Sequence, residues 1–300
     1  MAAEIATEAA KSAVEHGLTP GEYILHHLTF WQNHKPASVL DFSVINIDSV
    51  FWSVLLGVIA CGVMWLIARR VVTSGVPGRL QAALELLVEF VDGQTKGIVH
   101  NAQSRKFVAP LALTVFIWVI LLNTMDLLPV DLLPLVWQKL TGNPHAYMRV
   151  VPTADLSVTM GLSISVLLLC LYYNVKIKGV GGWAHELVTA PFGTSRNPIF
   201  ALLLGVINFA MQIVEFVAKT VSHGMRLFGN MYAGELLFLL LALMGGAWGS
   251  LSIGGGLTLA LLQIVAGWAW AVFHILIIVL QAFVFMMLTL VYIGQAHDHH

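Results

Sequence analysis

Ionisable, amide and hydroxyl side chains recur along one apolar segment of the chain, residues 198–244. A step of 100° per residue puts six of them within a helical sector of about 80°: Gln212, Glu215, Lys219, Ser222, Arg226 and Asn230. Glu235 lies on another face, since it is nine residues past Arg226, about 180° around the helix and about 13 Å along it. His274 and Gln281 share a face of a second apolar segment because they are seven residues apart. Such groups are costly in lipid and mark pathways for ions or protons.

Arg226 carries the most demanding charge of this stripe. A guanidinium has a pKa at or above about 12, so it effectively never loses its proton. The positions four residues away hold Ser222 and Asn230 rather than a carboxylate, and an arginine at mid-membrane costs about 2.5–3.5 kcal/mol on insertion scales. We therefore expect a functional charge at Arg226. Glu215 and Lys219 are four residues apart and can form a helical ion pair, for which a structural role is the simpler interpretation.

Glu235 and His274 are titratable groups on two adjacent predicted helices. Histidine changes its charge near neutral pH, so the pair indicates a proton relay. Asn230 and Gln281 can hold water through their amides. Packing between helices is the alternative role for these two amides, and the sequence leaves it open.

Four aspartates lie close to the predicted outer ends of membrane-crossing segments: Asp48, Asp126, Asp131 and Asp155. They are candidates for a wet, acidic entrance for cations, and ordinary solvation of helix ends is the alternative. The same alternative applies to Arg149, which lies among them. The prolines of "MDLLPVDLLP" (125–134) predict a non-helical outer loop whose two aspartates face water.

The composition predicts an all-α integral membrane protein. Hydrophobic residues make up 58% of the chain and charged residues 10%, whereas an average soluble domain is about 25% charged. Residues 80–100 place apolar and acidic side chains on different helical faces, which predicts an interfacial amphipathic helix, with an acidic face that suits a protein partner. Five segments are long enough to cross a bilayer: 48–68, 107–125, 156–175, 198–244 and 257–294.

The last two segments are too long for an upright crossing. Pro198 suits the first turn of a helix, and the next stop signal is "GGAWGSLSIGGG" (245–256). A helix over 198–244 would be about 70 Å long and one over 257–294 about 57 Å, against a hydrocarbon core of about 30 Å. We therefore expect a strongly tilted hairpin, with a protein partner covering one side.

Lysine and arginine placement predicts the orientation of the chain. Positive residues concentrate in segments that alternate with segments poor in positive charge. This pattern puts the N-terminus outside and the C-terminus in the cytoplasm. The predicted organisation is an outer N-terminal region, a single polytopic membrane domain and a cytoplasmic tail: 1–45, 46–296 and 297–300.

Other function classes find little support. The net charge of −1 argues against a nucleic-acid partner. Cys61 and Cys170 lack metal-ligand spacing. "AHEL" (184–187) has no second histidine to complete a metalloprotease motif. The "HDHH" tail could bind a metal, but a frayed end is the simpler interpretation. We expect no metal and no cofactor. A self-contained transporter and a membrane scaffold are further alternatives, but the transporter would want repeated halves that the sequence does not display.

The paired C-terminal motifs identify a family resemblance. "RLFGNMYAGE" (226–235), followed by "FHILIIVLQAFVFMMLTLVYI" (273–293), resembles the a subunit of bacterial F-type ATP synthases. "SGVPG" (74–78), "MDLLPVDLLP" (125–134) and "RVVPTAD" (149–155) resemble it too, and the likeness covers about residues 40–295.

The resemblance implies a function and roles for residues. The chain would be the stator of the membrane (Fo) sector, conducting protons through two offset half-channels to and from carboxylates on a rotating c-subunit ring, with nucleotide chemistry on other subunits. Arg226 matches the essential arginine that blocks direct proton passage and faces the ring, whose close approach Gly224 and Gly229 would allow. The implied outer half-channel residues are Asn230, Glu235, His274 and Gln281, and those of the inner half-channel are Gln212, Glu215 and Ser222.

The resemblance also implies a location and partners. The subunit would lie in a bacterial inner membrane with its N-terminus in the periplasm. Its partners would be the c-ring and the b-type subunits of a peripheral stalk.

Overall fold

The computed structural model describes residues 20–34, 41, 43–72, 76–129, 132–142, 148–246 and 253–296. Within those ranges the regular structure is helical, which confirms the predicted all-α class. The α-helices are α1 Pro20–His27, α2 Ile47–Ala68, α3 Arg79–Ile98, α4 Ala102–Thr124, α5 Leu132–Thr141, α6 Leu156–Thr189, α7 Pro198–Gly246 and α8 Ile253–Gln295. Two single 3₁₀ turns, Met125–Leu127 and Pro152–Ala154, precede α5 and α6.

Five helices of the described residues are long and apolar enough to cross a membrane, as the sequence predicted: α2, α4 with its following 3₁₀ turn, α6, α7 and α8. The second begins earlier than expected, at Ala102. The side-chain oxygen of Asn101 accepts hydrogen bonds from the backbone N–H groups of Gln103 (2.9 Å) and Ser104 (3.4 Å), so a cap keeps this polar first turn helical.

The third crossing helix, α6, runs past its predicted end at residue 175. It is broken at Gly179, whose φ of 73° and ψ of 162° are not helical. Glycine adopts such a φ at little cost because it has no Cβ. The chain therefore changes direction a few residues beyond the predicted end and then resumes a helix.

Both predicted long helices are present, and α8 begins at Ile253, four residues before its predicted start and inside the segment predicted to separate the two helices. α7 has 49 residues and begins at Pro198, and α8 has 43. Their contacts run antiparallel, since Gln263 donates a hydrogen bond to the carbonyl of Leu241 (2.7 Å) and Lys219 donates one to the side chain of Gln295 (2.9 Å). Their tilt in a bilayer stays a prediction.

Two further expectations concern the segments that connect the crossing helices. The predicted amphipathic helix exists as α3, and its place on the membrane surface stays a prediction. The prediction that "MDLLPVDLLP" is wholly non-helical is wrong, because Met125–Leu127 forms a 3₁₀ turn and α5 begins at Leu132. Pro134 lies in the first turn of α5, where a missing N–H costs no helical hydrogen bond.

The chain forms two compact units. Unit 1 comprises Met1–Val63, Ile117–Val158 and Phe228–Ala282, and unit 2 comprises Met64–Phe116, Thr159–Leu227 and Phe283–His300. In unit 1, an apolar cluster joins three buried residues with Ile277: Val151, Ala154 and Met231.

In unit 2, the connection between α6 and α7 is fastened to α7 by one amide. Asn208 is fully buried; its side-chain nitrogen donates to the carbonyls of Val188 (2.8 Å) and Gly193 (3.2 Å), and its oxygen accepts from the N–H of Phe192 (3.2 Å). Gly205, one turn earlier, packs so closely on Val188 that a Cβ there would collide with its side chain. These contacts fix the position of the α6–α7 connection on α7.

Candidate functional site

Glu235 forms an ion pair with Arg149 inside unit 1. The Nε of Arg149 donates to one carboxylate oxygen of Glu235 (3.2 Å) and its Nη2 donates to the other. The two side chains are 3% and 7% exposed. Each therefore supplies the charge that the other needs in a dry site, where loss of one partner typically costs about 3–5 kcal/mol. The solvated helix end considered for Arg149 is wrong, and its pairing with Glu235 is a feature that the sequence did not reveal.

His274 faces Asp126 in the same unit. Its Nε2 lies 2.7 Å from an oxygen of Asp126, and both side chains are buried. The angles do not suit a hydrogen bond, and the contact is an ion pair only when the imidazole is protonated. The prediction that Asp126 faces water is wrong: the 3₁₀ turn at Met125–Leu127 turns its carboxylate inward to the imidazole.

Gly234 makes room for this contact. A Cβ at this position would collide with the His274 ring and crowd the Asp126 carboxylate. The ring of His274 also meets Phe238 (centroids 5.3 Å apart) and Trp270 (5.8 Å). Imidazole and carboxylate are thus held between two helices, the glycine and aromatic rings.

The acidic members of these two pairs line the same small cavity. Its volume is about 20 Å³, and its lining includes Asp126 and Glu235. This is room for one water molecule. A water molecule there would donate a hydrogen bond to each carboxylate. Glu235 and His274, predicted to form one relay, therefore have separate partners in this unit, with Asp126 beside both.

Asp48 and Asp155 are buried in unit 1 and serve backbone and amide donors. Asp48 accepts hydrogen bonds from the N–H groups of Trp31 (3.0 Å) and Arg149 (3.2 Å). Asp155 accepts from the side chain of Asn46 (2.7 Å) and from the N–H of Ser157 (2.9 Å) in the first turn of α6. These contacts fasten the loops to the helix starts. The fourth candidate, Asp131, lies outside the described residues.

Unit 2 contains a much larger cavity, of about 1050 Å³. α6, α7 and α8 line it, and its polar lining includes Ser163, Asn174, Lys178, Glu186, Gln212, Glu215, Lys219 and His223. Two of the predicted inner residues, Gln212 and Glu215, are in this lining. Ser222 is not among the lining residues and is exposed on the surface of α7.

The ion pairs of this cavity are more open than those of unit 1. Glu215 and Lys219 are 2.6 Å apart, as predicted, with exposed fractions of 50% and 27%. Lys178 donates to both oxygens of Glu186 at 2.8 Å. Both pairs are in contact with space that can hold many waters.

Arg226 is exposed on α7, as are its neighbours Ser222 and Met225. Gly229 is also exposed and has open space where a Cβ would be. Gly224 is different, because it is buried against α6, where a Cβ would collide with the sulfur of Met160. The expectation that Gly224 opens the outer surface to a partner is therefore wrong.

The remaining predicted residues, Asn230 and Gln281, are half-buried in unit 1.

Residues 50–294 match the family model described as the ATP synthase A chain. The chain belongs to this family. Three relatives are each named ATP synthase subunit a. The relative from Acidovorax sp. is 67% identical to this chain. The relatives from Paracidovorax citrulli and Verminephrobacter eiseniae are 65% and 58% identical. Each alignment covers 96% of this chain and 100% of the relative.

Membership in the ATP synthase A chain family confirms the resemblance inferred from "RLFGNMYAGE" and its partner motif. The chain is a multi-pass membrane subunit of a larger assembly and not a catalyst by itself.

Proposed function

We propose that this subunit conducts protons in the membrane sector of an ATP synthase, passing them between two polar pathways and the carboxylates of a c-subunit ring. One observation carries the proposal. Along α7, the exposed Arg226 follows the residues that line the large cavity, from Gln212 to His223, and precedes the buried Glu235. Groups able to move protons thus come before and after a charge that cannot give up its proton.

Arg226 acts as the barrier between the pathways. Its fixed positive charge repels a hopping proton, so protons must travel on the ring. The same charge favours the ionised form of a ring carboxylate as it passes. The exposure of Arg226 and Gly229 supports this role, because a partner helix can approach them.

The outer half-channel uses the closed pairs of unit 1. Asn230, Glu235, His274 and Gln281 are its relay and water-holding residues. Asp126 connects Glu235 with His274. Its carboxylate lies 2.7 Å from His274, and it lines the one-water cavity that Glu235 also lines. Asp126 and the other candidates for the entrance belong to this side: Asp48, Asp131 and Asp155.

The inner half-channel is the cavity of unit 2. Gln212 and Glu215 line it and keep water in contact with α7, and Ser222 continues the polar stripe towards Arg226. In this arrangement water rather than a fixed chain of side chains carries the proton.

The assembly that suits this function has the periplasmic N-terminal region (1–45), the membrane domain (46–296) and the cytoplasmic tail (297–300) in a bacterial inner membrane. The tilted pair α7 and α8 faces the c-ring. The acidic face of α3 is the surface proposed for the b-type stalk.

Replacement of Arg226 by alanine tests the proposal. In inverted vesicles with the complex assembled, Arg226→Ala should abolish ATP-driven proton pumping and raise the passive proton leak once the water-soluble ATPase portion is removed. The control is Arg79→Ala, since Arg79 is an exposed arginine at the start of α3. Near-normal pumping by Arg226→Ala would reduce Arg226 to a structural residue and overturn the proposed function.

A further inference from the structure

His223 is a titratable residue of the unit 2 cavity to which the scheme above gives no role of its own. His223 lines the cavity and lies on α7 three residues before Arg226, about 4.5 Å along the helix axis. It is the lining residue of α7 closest in sequence to that arginine.

The ring of His223 is fixed by aromatic neighbours on α8. It stacks on Phe285, with centroids 3.8 Å apart and planes at 28°, and meets Tyr292 edge-on at 5.8 Å. The residue is only 2% exposed. Gly224, the next residue, packs against Met160 and the carbonyl of Thr159, so α7 is closely held to α6 beside the ring. The imidazole therefore points in a defined direction.

Its Nε2 is buried without a hydrogen-bond partner among the described residues. A buried polar atom left unsatisfied costs about 1–3 kcal/mol, and an internal water is a common partner for such an atom. The ring borders a cavity of about 1050 Å³, in which a water molecule needs only about 30 Å³. The cost is avoided if the imidazole bonds to water at the inner edge of this cavity.

We infer that His223 is a proton-relay residue at the Arg226 end of the inner cavity. One nitrogen of the imidazole accepts a proton, either from a carboxylate of the c-subunit ring or from water. The other nitrogen then releases a proton, so no net charge accumulates over a transfer. Phe285 and Tyr292 pack against the imidazole and fix its orientation. Water in the cavity completes the proton route to the cytoplasm. This inference rests on the proposed function, because it assigns a role within the inner half-channel.

The experiment measures proton flux driven by a membrane potential in vesicles that hold the assembled complex without its water-soluble ATPase portion. His223→Phe keeps a flat ring against Phe285 and removes both nitrogens. His223→Ala opens space for added imidazole. We expect both to lower flux at least about tenfold, since a positioned acid–base group contributes about 10²–10⁴-fold and water replaces part of that.

Chemical rescue separates a relay from a packing role. Imidazole should restore at least about half of the flux of His223→Ala, while pyrazole, a ring of the same size and far weaker basicity, should not. His100→Phe, at an exposed histidine beyond the end of α3, is the matched control and should conduct like the parent. Parental flux in His223→Phe, or equal rescue by imidazole and pyrazole, would overturn the relay.

A further variant keeps the two proposals apart. Gln212→Trp puts a large ring into the cavity and should block flux if the cavity is the inner half-channel. Blocked flux in Gln212→Trp with parental flux in His223→Phe defeats only the relay. Parental flux in Gln212→Trp removes the cavity from the proton route and with it the proposed inner half-channel.

Discussion

Unit 1 and unit 2 handle their charges in opposite ways. In unit 1, Glu235 with Arg149 and His274 with Asp126 are almost fully buried, around a space of about 20 Å³. In unit 2, Glu215 with Lys219 and Lys178 with Glu186 border about 1050 Å³. A charge in a dry site depends on its partner, whereas a charge beside water is solvated without one. We therefore expect substitutions in unit 1 to be severe and those at the pairs of unit 2 to be mild.

The largest effect should come from Arg149→Ala. It leaves the Glu235 carboxylate buried without its partner, which should destabilise the subunit by about 3–5 kcal/mol. Thermal denaturation of the purified complex and the amount assembled in membranes would measure this. Arg79→Ala, on an exposed arginine, should change stability by less than about 0.5 kcal/mol.

A double variant tests whether Arg149 and Glu235 matter as a pair. Arg149→Met combined with Glu235→Leu removes both charges, so assembly should recover while proton pumping stays absent. If Arg149→Ala alone cost under about 1 kcal/mol, water would already solvate Glu235, and the contrast between the two units would fail.

Gly234→Ala should have the next largest effect. Its methyl group collides with His274 and crowds Asp126, and overpacking of this kind costs about 1–3 kcal/mol. Pumping should fall with stability, as measured on the assembled complex. Gly229→Ala, on the same helix, is the matched control. Because Gly229 is a proposed contact of the c-ring, this control applies to stability alone: its Cβ position lies in open space, so alanine should be neutral or stabilising by up to about 1 kcal/mol. Gly62→Ala, at a position with open space inside α2 of the same unit, is the control for pumping. Equal losses of stability from Gly234→Ala and Gly229→Ala would show that helix flexibility, rather than the His274 contact, is what glycine provides.

The smallest effect should come from Glu215→Gln. Glu215 is half exposed and paired across one helical turn, where such a pair contributes about 0.3–0.5 kcal/mol. Passive proton flux should change less than about threefold, because cavity water can carry the proton past an amide. Abolition of passive flux in Glu215→Gln would instead make Glu215 an obligatory proton carrier, and unit 2 would then depend on its side chains as much as unit 1 does.

Features of the fold that depend on local patterns were predictable from the sequence. Apolar length predicted five crossing helices, and the absence of stop signals between Pro198 and Gly245 predicted the unbroken α7. The Glu215–Lys219 pair was predictable for the same reason, since a spacing of four residues alone brings two side chains together on a helix.

Partners distant in sequence were not predictable in this way. Arg149 and Glu235 are 86 residues apart, and no periodicity connects a loop to a helix face. Asp126 was expected in water because the prolines of "MDLLPVDLLP" predicted an outer loop, but its carboxylate lies inward beside His274. Gly224 and Gly229 look alike in the sequence, and only packing against Met160 distinguishes the buried one from the exposed one. Arg149 itself was the available signal, because an arginine that becomes buried needs an acidic partner, but the sequence does not show that it is buried.

The small cavity between Asp126 and Glu235 has a consequence for ion selectivity. A space of about 20 Å³ holds one water molecule. A proton can cross it by exchanging hydrogen bonds, because the water that receives a proton on one side releases another on the opposite side. A sodium ion must instead move bodily, and it can enter this space only after it has lost most of its hydration shell. On the proposed outer route, the small volume of this space would therefore favour protons over hydrated ions.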